Sequence, residues 1–380
     1  MKVMLVASFP DSLLVFRGAL IRAMRGSSCD VQVLAPGIAA DAGLIETLRR
    51  WGVGAFDIPL RRTGTNPVAD AGLFVALIRA IRSHRPDILL PYTIKPVIYG
   101  TLAGWVARVP QRYALVTGLG FVFTNGRGGL LKHLIVVLYR LALGRAHKVF
   151  FQNPDDERLF REMKLLPASV PSVVVNGSGV DVGAFAVCPL PAGEAVFLMI
   201  GRFLGDKGLR EYASAAKRIR SVNPNVRFQL VGWVDINPDA IAQSELDAWI
   251  ADGTLECLGK LDDVRPSIAA STVYVLPSYR EGTPRTVLEA MAMGRPIITT
   301  DAPGCRETVI DGENGFLVPV KSVDALVGAM LKFIEDPTLA PRMGRRSREI
   351  AEEKYDVHKV NAVMLREMGI TPTPGEEPHA

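Results

Sequence analysis

Short apolar runs alternate with helix-like segments along almost the entire chain, and this rhythm limits the folds that the chain can adopt. In the first half the apolar runs are typical of buried strands and fall near Lys2–Ala7, Val31–Ala35, Asp87–Pro91, Arg112–Thr117, Lys148–Phe151 and Ser172–Val175. The second half repeats the pattern near Ala195–Ile200, Val226–Val231, Leu255–Leu258, Val273–Leu276, Pro296–Thr300 and Gly315–Val318. Because a helix between two strands makes a parallel crossover, the sequence predicts an α/β protein with parallel sheets.

Chain length and a glycine-containing break near the middle predict two domains. A chain of 380 residues exceeds what one hydrophobic core usually organises. The segment Val175–Asp181 carries glycines and Cys188–Gly193 carries prolines, a composition typical of a hinge. We therefore expect a first Rossmann-like domain at 1–185 and a second one at 190–355. Residues 356–370 are expected to pack back onto the first domain, and 371–380 to be a disordered tail.

Composition narrows the class of protein. Hydrophobic residues make up 48% of the chain and charged residues 22%, values typical of a globular protein. No window of ~18 uncharged apolar residues occurs, so a membrane-spanning helix is not expected. The histidines are scattered and the cysteines form no Cys-x-x-Cys pair, so we expect no metal site and a cytoplasmic protein with reduced thiols at Cys29, Cys188, Cys257 and Cys305. The net charge of +5 suits an anionic substrate or membrane surface, and equally suits many soluble proteins.

The stretch Ser278–Ala290 is predicted to join a buried strand to a helix through a tight polar turn. Thr283 is placed to cap this helix, with Pro284 at the first helical position. The backbone donors of Arg285 and Thr286 then point out of the helix start. Such donors, at the positive end of a helix dipole, favour an anion, most naturally a phosphate.

Two carboxylates flank this helix start, Glu281 in the turn and Glu289 in the second helical turn. A carboxylate repels a phosphate, so these side chains are better suited to hold hydroxyl groups. A ligand with hydroxyls on both sides of a diphosphate is a nucleotide sugar. The alternative is an ordinary strand–turn–helix unit whose charged residues face water.

Cations follow the first predicted strand of the second half, in Gly201-Arg202 and then Lys207-Gly208. A glycine lets the backbone approach a ligand, and cations at the carboxyl end of a strand can neutralise a diphosphate. Their charge matters most as the diphosphate leaves, because breaking the anomeric bond adds charge to the β-phosphate. The alternative is a pair of solvated loop cations. No Gly-x-Gly-x-x-Gly follows the first strand of the chain, which gives a hydride-transfer enzyme little support.

The segment EGTPRTVLEAMAMGRPII, with Glu-x7-Glu at Glu281 and Glu289, resembles the signature of the retaining glycosyltransferases called family 4. The resemblance covers Phe197 to Tyr355 well and the first half loosely. It implies the GT-B architecture, in which two doubly wound Rossmann-like domains face each other across a cleft. It also implies transfer with retention of anomeric configuration, without a metal or other cofactor, the nucleotide sugar being a co-substrate.

The same resemblance implies roles for individual residues. Arg202 and Lys207 look like the diphosphate clamp, and together with Glu281, which would hold the transferred sugar, they are the expected catalytic residues. Glu289 would hold the ribose hydroxyls, and backbone near Leu261 would face the base. The remaining donor-binding positions lie at the strand end, in the turn and at the helix start: Gly201, Gly282, Thr283, Arg285 and Thr286.

Three stretches of the first half resemble a bacterial branch of that family that extends polyprenyl-diphosphate-linked saccharides: Pro91–Pro96, Val116–Thr124 and Phe150–Asn153. They imply an acceptor site that includes Thr93, Lys95 and Gly118. A histidine that some relatives carry near Gly118 is missing, as is a doubled glycine that many place after the first strand, so no acceptor base is identified. The branch implies transfer of a hexosamine or hexose from a UDP-sugar in surface polysaccharide or glycan assembly.

The segment between Gly126 and Lys148 is apolar almost all round, with cations interspersed. We expect this helix, with Arg61, Arg62 and Arg127, to meet an anionic membrane surface, placing the protein peripherally on the cytoplasmic face of the inner membrane beside a lipid-linked acceptor. The alternative is a helix buried against the first sheet. No nucleic-acid partner is expected.

Two other functions stay open on the sequence. A sugar-nucleotide epimerase would share the two-domain architecture, but it needs acid–base carboxylates and a histidine in the cleft. A non-catalytic nucleotide-sugar-binding protein would keep the donor site without transfer. The presence of Arg202, Lys207, Glu281 and Glu289 argues against such a loss of catalysis.

Overall fold

The structure is a computed structural model that describes residues 1–61, 66–118, 130–235 and 237–371. Contacts divide the chain into two units. The first comprises Met1–Ser178 and His358–Ala380, and the second comprises Gly179–Val357. Each unit has its own parallel sheet and its own apolar cores, as the alternating sequence pattern predicts.

The strands of the first unit are β1 (Lys2–Val6), β2 (Asp30–Ala35), β3 (Gly54–Asp57), β4 (Ile88–Pro91), β5 (Gln111–Val116), β6 (Lys148–Phe151) and β7 (Ser172–Val174). They form one sheet in the order β3-β2-β1-β4-β5-β6-β7, and neighbouring strands are parallel. The order reverses between β1 and β4, so their carboxyl ends form a switch point at which open α/β sheets bind ligands. The sequence pattern missed β3 because its mostly half-buried residues make no apolar run.

Helices cover both faces of this first sheet. They are α1 (Asp11–Val15), α2 (Gly18–Gly26), α3 (Ala42–Arg50), α4 (Pro67–His84), α5 (Thr101–Val106), α6 (Leu130–Leu143) and α7 (Pro154–Glu162). A π-helical turn, Pro96–Gly100, leads into α5. Alternate residues of β1 enter different cores, because successive strand side chains point to opposite faces. Val3 and Leu5 pack with α2 and α3, whereas Met4 and Val6 pack with α4 and α5.

The strands of the second unit are β8 (Val196–Arg202), β9 (Arg227–Trp233), β10 (Glu256–Gly259), β11 (Val273–Leu276), β12 (Ile297–Thr300) and β13 (Gly315–Val318). They form a second parallel sheet in the order β10-β9-β8-β11-β12-β13. The order reverses between β8 and β11. The segments that carry Arg202, Lys207 and Glu281 follow these two strands, so they meet at the switch point.

The helices of the second unit are α8 (Leu209–Arg220), α9 (Gln243–Ala251), α10 (Arg265–Ala269), α11 (Arg285–Ala292), α12 (Val323–Glu335) and α13 (Leu339–Ile350). A 3-10 turn, Gly205–Lys207, precedes α8, and a π-helical turn, Ala351–Tyr355, extends α13. The last helix, α14 (Val357–Glu367), brings the chain back, and its Met364 and Leu365 enter the core of the first unit. No helix within the described ranges is long and apolar enough to cross a membrane.

The chain passes between the units at two neighbouring points. Val180 N–H donates to the Tyr355 carbonyl at 2.8 Å, and Val357 N–H donates to the Val180 carbonyl at 2.9 Å. Arg348 Nη1 also donates to the carbonyls of Val182 and Phe185, each at 3.0 Å. These bonds hold the connector, residues 179–190, against the second unit, and the division by contacts falls between Ser178 and Gly179. Of the predicted tail 371–380, residues 372–380 lie outside the described ranges.

Candidate active site

The turn after β11 is held rigidly by the loop that follows β12. Ser278 Oγ donates to Glu281 Oε1 at 2.8 Å, and the Ser278 carbonyl accepts a hydrogen bond from Thr300 Oγ1. Glu281 N–H donates to the Pro303 carbonyl at 2.9 Å. Gly304 has φ of +81°, and a Cβ there would lie 2.1 Å from the Glu281 carbonyl oxygen. Only glycine permits this approach, so the position of Glu281 is set by two strands and not by its turn alone.

Lys207 and Glu281, two of the three residues predicted to be catalytic, contact each other. Lys207 Nζ forms an ion pair with Glu281 Oε1, and their side chains are only 16% and 14% exposed. The approach depends on Gly208, where φ is +74° and a Cβ would lie 2.2 Å from the Pro277 carbonyl oxygen. Because both charges are largely shielded from water, the pair fixes the ammonium at the carboxyl end of β8 and β11.

Arg202, the third predicted catalytic residue, ends β8 and pairs with a carboxylate that the sequence analysis did not single out. Its Nη1 lies 2.5 Å from Asp235 Oδ2, and the side chains are 33% and 18% exposed. Gly201, beside it, has space above its backbone: a Cβ there would meet no other atom of the described residues within 4 Å. Nothing in the described structure therefore requires a glycine at this position, whereas a ligand that lies on the backbone would require it.

Helix α11 begins one residue later than the sequence predicts. Pro284, with φ of −74° and ψ of 108°, occupies the N-cap position, so the prediction that Thr283 caps the helix is wrong. Proline fixes φ but leaves ψ free to be extended, and an extended ψ places it outside the helix. Val287 and Leu288 N–H groups donate to the Pro284 carbonyl at 3.1 and 3.3 Å. The N–H groups of Arg285 and Thr286 precede these first helical bonds, as an anion site at the helix start requires.

The side chains of α11 are tied to the protein interior. The Tyr274 hydroxyl lies 2.6 Å from Thr286 Oγ1 and 3.1 Å from the Ile200 carbonyl oxygen. Arg285 Nε donates to Glu289 Oε1 at 2.7 Å, and Glu289 is only 6% exposed. Burial raises the pKa of Glu289, and the Arg285 guanidinium partly opposes this rise. Glu289 can therefore offer a ligand only one edge of its carboxylate.

The other predicted donor positions are placed around this centre. Gly282 and Thr283 lie half-buried in the turn that Gly304 supports. Leu261 follows β10 and packs, half-buried, against the core of the second unit. It stands at the carboxyl edge of the same sheet, on the far side of β9 from the clamp residues.

The predicted acceptor residues lie at the carboxyl ends of β4 and β5 in the first unit. Thr93 and Gly118 have positive φ of +70° and +136°, a strained conformation for a β-branched threonine. Thr93 Oγ1 is buried and has no hydrogen-bond partner among the described residues. Lys95 Nζ lies 2.8 Å from Asp70 Oδ1, and Tyr99 donates to Asp70 Oδ2 at 3.1 Å, contacts that the sequence analysis did not predict.

Some of the residues predicted for the first unit lie outside the described ranges. Of the stretch 116–124 only residues up to 118 are described, and Arg62 and Arg127 also lie outside the described ranges. Arg61 is described and exposed. Within the described parts of the chain, no group of three or more His, Cys, Asp or Glu side chains is arranged to hold a metal ion.

Comparison with known protein families identifies the family of this chain. Residues 15–177 match the model of the glycosyl transferase 4-like domain, and residues 194–336 match that of the glycosyl transferases group 1. Together the two matches cover about four-fifths of the chain. The chain belongs to the glycosyltransferases that these two models describe. The transferase prediction is thereby confirmed, and the epimerase alternative finds no support.

Curated relatives of this glycosyltransferase share a quarter of its sequence. The N,N'-diacetylbacillosaminyl-diphospho-undecaprenol α-1,3-N-acetylgalactosaminyltransferase of Campylobacter jejuni is 26% identical over 360 residues, covering 91% of this chain and 92% of that protein. The UDP-Gal:α-D-GlcNAc-diphosphoundecaprenol α-1,3-galactosyltransferase of Escherichia coli is 27% identical over 300 residues, covering 76% of each.

Solved structures confirm the GT-B fold of the glycosyltransferase. Sucrose-phosphate synthase from Thermosynechococcus elongatus superposes with a TM-score of 0.80 at 18% identity, covering 97% of this chain and 98% of that one. The Anabaena protein HepE, solved with UDP-glucose, superposes with a TM-score of 0.74 at 19% identity, covering 97% and 99%. At these identities the likeness concerns the fold alone.

Two side chains near the predicted site of the glycosyltransferase escaped sequence reasoning. Asp235 comes two residues after β9, and Asp70 lies in the first turn of α4, far along the chain from Lys95. The rule that ligand-binding residues follow the carboxyl ends of strands would have found Asp235. No sequence signal pairs Asp70 with Lys95, because only the packing of α4 beside the π-helical turn brings them together.

Proposed function

We propose that this glycosyltransferase moves a hexosamine or hexose from a UDP-linked donor to a polyprenyl-diphosphate-linked saccharide during surface polysaccharide or glycan assembly. The transfer retains anomeric configuration and needs no metal. The activities named for the C. jejuni and E. coli relatives support the lipid-linked acceptor and, for E. coli, the UDP donor. The observation that carries the proposal is the shielded Lys207–Glu281 pair beside the start of α11.

In this mechanism the donor diphosphate lies against the N–H groups of Arg285 and Thr286, with Arg202 and Lys207 beside it. The bond between the anomeric carbon and the β-phosphate oxygen breaks, and the acceptor hydroxyl oxygen bonds the same face of that carbon. The hydroxyl proton passes to the departing phosphate oxygen. Fixed cations and amides stabilise the charge that develops on the leaving group, so no strongly basic side chain is needed.

Glu281 has a second role in this proposal. Its Oε1 accepts from Ser278 and pairs with Lys207, which orients the carboxylate. Glu281 then positions the transferred sugar, while Glu289 contributes its accessible edge to the ribose. Gly201, Gly282, Thr283 and Leu261 complete the donor contacts through their backbone.

The acceptor is proposed to bind at the carboxyl ends of β4 and β5. Thr93 supplies a buried hydroxyl without a described partner, and Gly118 has a positive φ of +136° just after the end of β5. Lys95 faces the acceptor diphosphate with its ammonium held by Asp70. A strained residue with an unsatisfied polar atom is the kind of feature that clusters at binding sites.

We further propose that the first unit associates peripherally with the cytoplasmic face of the inner membrane. Helix α6 buries Tyr139, Ala142 and Leu143 in its core, but Leu134 and Leu141 are 51% and 52% exposed. One face of α6 is therefore buried, as the alternative of a helix packed against the first sheet expects, and the exposed leucines on its other face support the membrane proposal.

A transfer assay tests the catalytic proposal. Wild-type protein is incubated with UDP-hexosamines, UDP-hexoses and a polyprenyl-diphosphate-linked saccharide, and lipid-linked product is measured. We expect Lys207→Met to raise the activation free energy by about 2–4 kcal/mol, the scale of one transition-state donor. Lys217→Met is the control, because that lysine is 74% exposed and pairs at 3.5 Å with Asp252, away from the site.

The outcomes separate the remaining functions. Transfer by the wild type that falls roughly 30- to 1,000-fold in Lys207→Met supports the proposal. Binding of the UDP-sugar without transfer would instead indicate a non-catalytic binding protein. Near-normal turnover of Lys207→Met would contradict the mechanism.

A further inference from the structure

We propose that Trp233 and Lys260 form the base-recognition element of the donor site and favour nucleobases that present a carbonyl oxygen. The inference rests on the proposed function, since it takes the donor to be a nucleotide sugar. The two residues lie at the carboxyl ends of β9 and β10, next to Leu261, whose backbone the family resemblance directs to the base without assigning any side chain there.

The position of Trp233 relative to the proposed clamp is fixed by the sheet. Trp233 is the register partner of Arg202 in the β8–β9 pair, and its carbonyl accepts from Phe203 N–H at 2.9 Å. The proposed diphosphate site follows β8 and β11, whereas Lys260 follows β10. The two places are thus about two strand spacings, ~10 Å, apart. A ribose and its phosphate bridge such a gap.

The side chain of Trp233 is much more exposed to solvent than those of the aromatic residues in the core of the second unit. The indole is 43% exposed, whereas the large aromatic side chains Phe197, Tyr212, Phe228 and Tyr274 are fully buried. An indole that stands out of the carboxyl edge of a sheet offers a flat surface on which a base can stack. Leu258, 40% exposed, adds a second apolar surface nearby on β10.

The backbone around the pair departs from regular strand geometry. Gly232 has φ of +148°, and a Cβ there would lie 1.8 Å from the Gly201 carbonyl oxygen. The register of β10 against β9 shifts between Cys257 and Gly259, and Gly259 has φ of +73°. Such irregularities re-aim side chains at strand ends. Here they bring Lys260 Nζ within 5.2 Å of the Trp233 ring centroid.

The chemistry of the pair gives the selectivity. An ammonium has three donors and no acceptor, so it pairs with a carbonyl oxygen and not with an amino group. Uracil and guanine present such an oxygen at the base edge, whereas the exocyclic group of adenine is an amino donor. The flexible stem of Lys260 lets its ammonium move from the indole to the edge of a base stacked there.

Equilibrium titrations of the full-length protein with UDP and with ADP test the inference. We expect the wild type to bind UDP about tenfold or more tightly than ADP. Trp233→Leu should weaken both nucleotides by about tenfold or more, because it removes the stacking surface. Lys260→Met should bring the two affinities close together, because it removes the donor but keeps an apolar stem. Lys332→Met, whose ammonium lies 4.2 Å from the Phe316 ring elsewhere in the unit, should change neither affinity.

Tryptophan emission gives a second readout that a loss of stability would not mimic. UDP should quench the emission of the wild type and of Trp249→Phe, but not that of Trp233→Leu. Unchanged UDP affinity and base preference in both the Trp233 and Lys260 variants would overturn the inference while leaving the proposed function intact. A wild type that binds neither nucleotide would overturn both.

Discussion

At the scale of the residue, the turn that carries Glu281 depends on contacts that leave no room for a side chain. Gly304 and Gly208 have positive φ and press against the Glu281 and Pro277 carbonyls, respectively. These glycines lie outside the Glu-x7-Glu segment, yet they set where Glu281 stands and how closely Lys207 approaches it. The site therefore extends further through the chain than its charged residues suggest.

Gly304→Ala should displace Glu281 by forcing a Cβ against the backbone of the turn. We expect a loss of about 1–3 kcal/mol in unfolding free energy and a fall of at least about tenfold in kcat/KM. Gly312→Ala is the matched control, because Gly312 has φ of +79° but a Cβ there would meet nothing within 4 Å. Denaturant unfolding and the transfer assay measure both effects. Equal losses in the two variants would show that backbone strain alone, and not the contact with the turn, is responsible.

Sequence reasoning singled out Arg202, Lys207 and Glu281, but it did not find Asp235, the ion-pair partner of Arg202. The Lys207–Glu281 contact follows from strand order, since both residues come after neighbouring strands β8 and β11. The N-cap prediction was wrong because the ψ of Pro284 depends on how the turn packs, and composition does not encode it. The positive φ of Thr93 is likewise a property of the folded loop.

At the scale of the element, one arginine next to β12 binds both the end of α10 and the connector at Cys188 and Pro189. Arg295 is fully buried between α11 and β12. It donates to the Ile268 and Ala269 carbonyls at the end of α10 and to the Cys188 and Pro189 carbonyls, at 2.9 to 3.0 Å. Burial lowers the pKa of Arg295. Helix-end carbonyls without a partner in the helix are satisfied here by a residue distant in sequence.

Arg295→Met should therefore cost far more than the loss of an ordinary ion pair. It removes a buried guanidinium and its hydrogen bonds to four carbonyls, three of them partly buried, and we expect unfolding free energy to fall by about 3–5 kcal/mol. Arg227→Met is the control: its pair with Glu256 has side chains 52% and 35% exposed, and such pairs contribute under about 1 kcal/mol. Urea unfolding compares the two. A loss of similar size in both would contradict the assignment of Arg295 as a fastening residue.

Element order was largely predictable, whereas the role of Arg295 was not. The apolar runs marked the buried strands because parallel strands covered on both faces are apolar throughout. Strand β3 lacks such a run, and Arg295 stands in the sequence as one more cation before β12. Only the folded arrangement brings the ends of α10 and the connector to the same guanidinium.

At the scale of the whole molecule, the charge and apolar surface of the first unit favour a membrane partner. Leu134, Val137 and Leu141 on α6 and Trp105 on α5 are exposed, and the two helices pack together. The Arg145 guanidinium lies 4.4 Å from the Trp105 ring. Exposed apolar side chains edged by cations and tryptophan are typical of surfaces that bind anionic lipid.

Co-sedimentation with vesicles tests this surface. We expect the wild type to sediment with phosphatidylglycerol-containing vesicles and much less with neutral ones, and added salt should weaken the binding. A Leu134→Ser, Leu141→Ser double variant should bind at least several-fold more weakly, because it removes apolar area. Val222→Ser, at a 71% exposed position on the second unit, should bind as the wild type does. Absence of binding even to anionic vesicles would remove the membrane proposal.

The hydrogen bonds of Val180 with Tyr355 and Val357 have a consequence for engineering the second unit as a separate or replaceable domain. Gly179 lies so close to the chain at Val357 that a Cβ there would fall 2.6 Å from its Cα. The two ends of the segment Gly179–Val357 therefore lie next to each other. Residues 178 and 358 could therefore be joined by a short linker after 179–357 is removed. A different domain whose own ends are equally close could also replace 179–357 without a change in the backbone of the first unit.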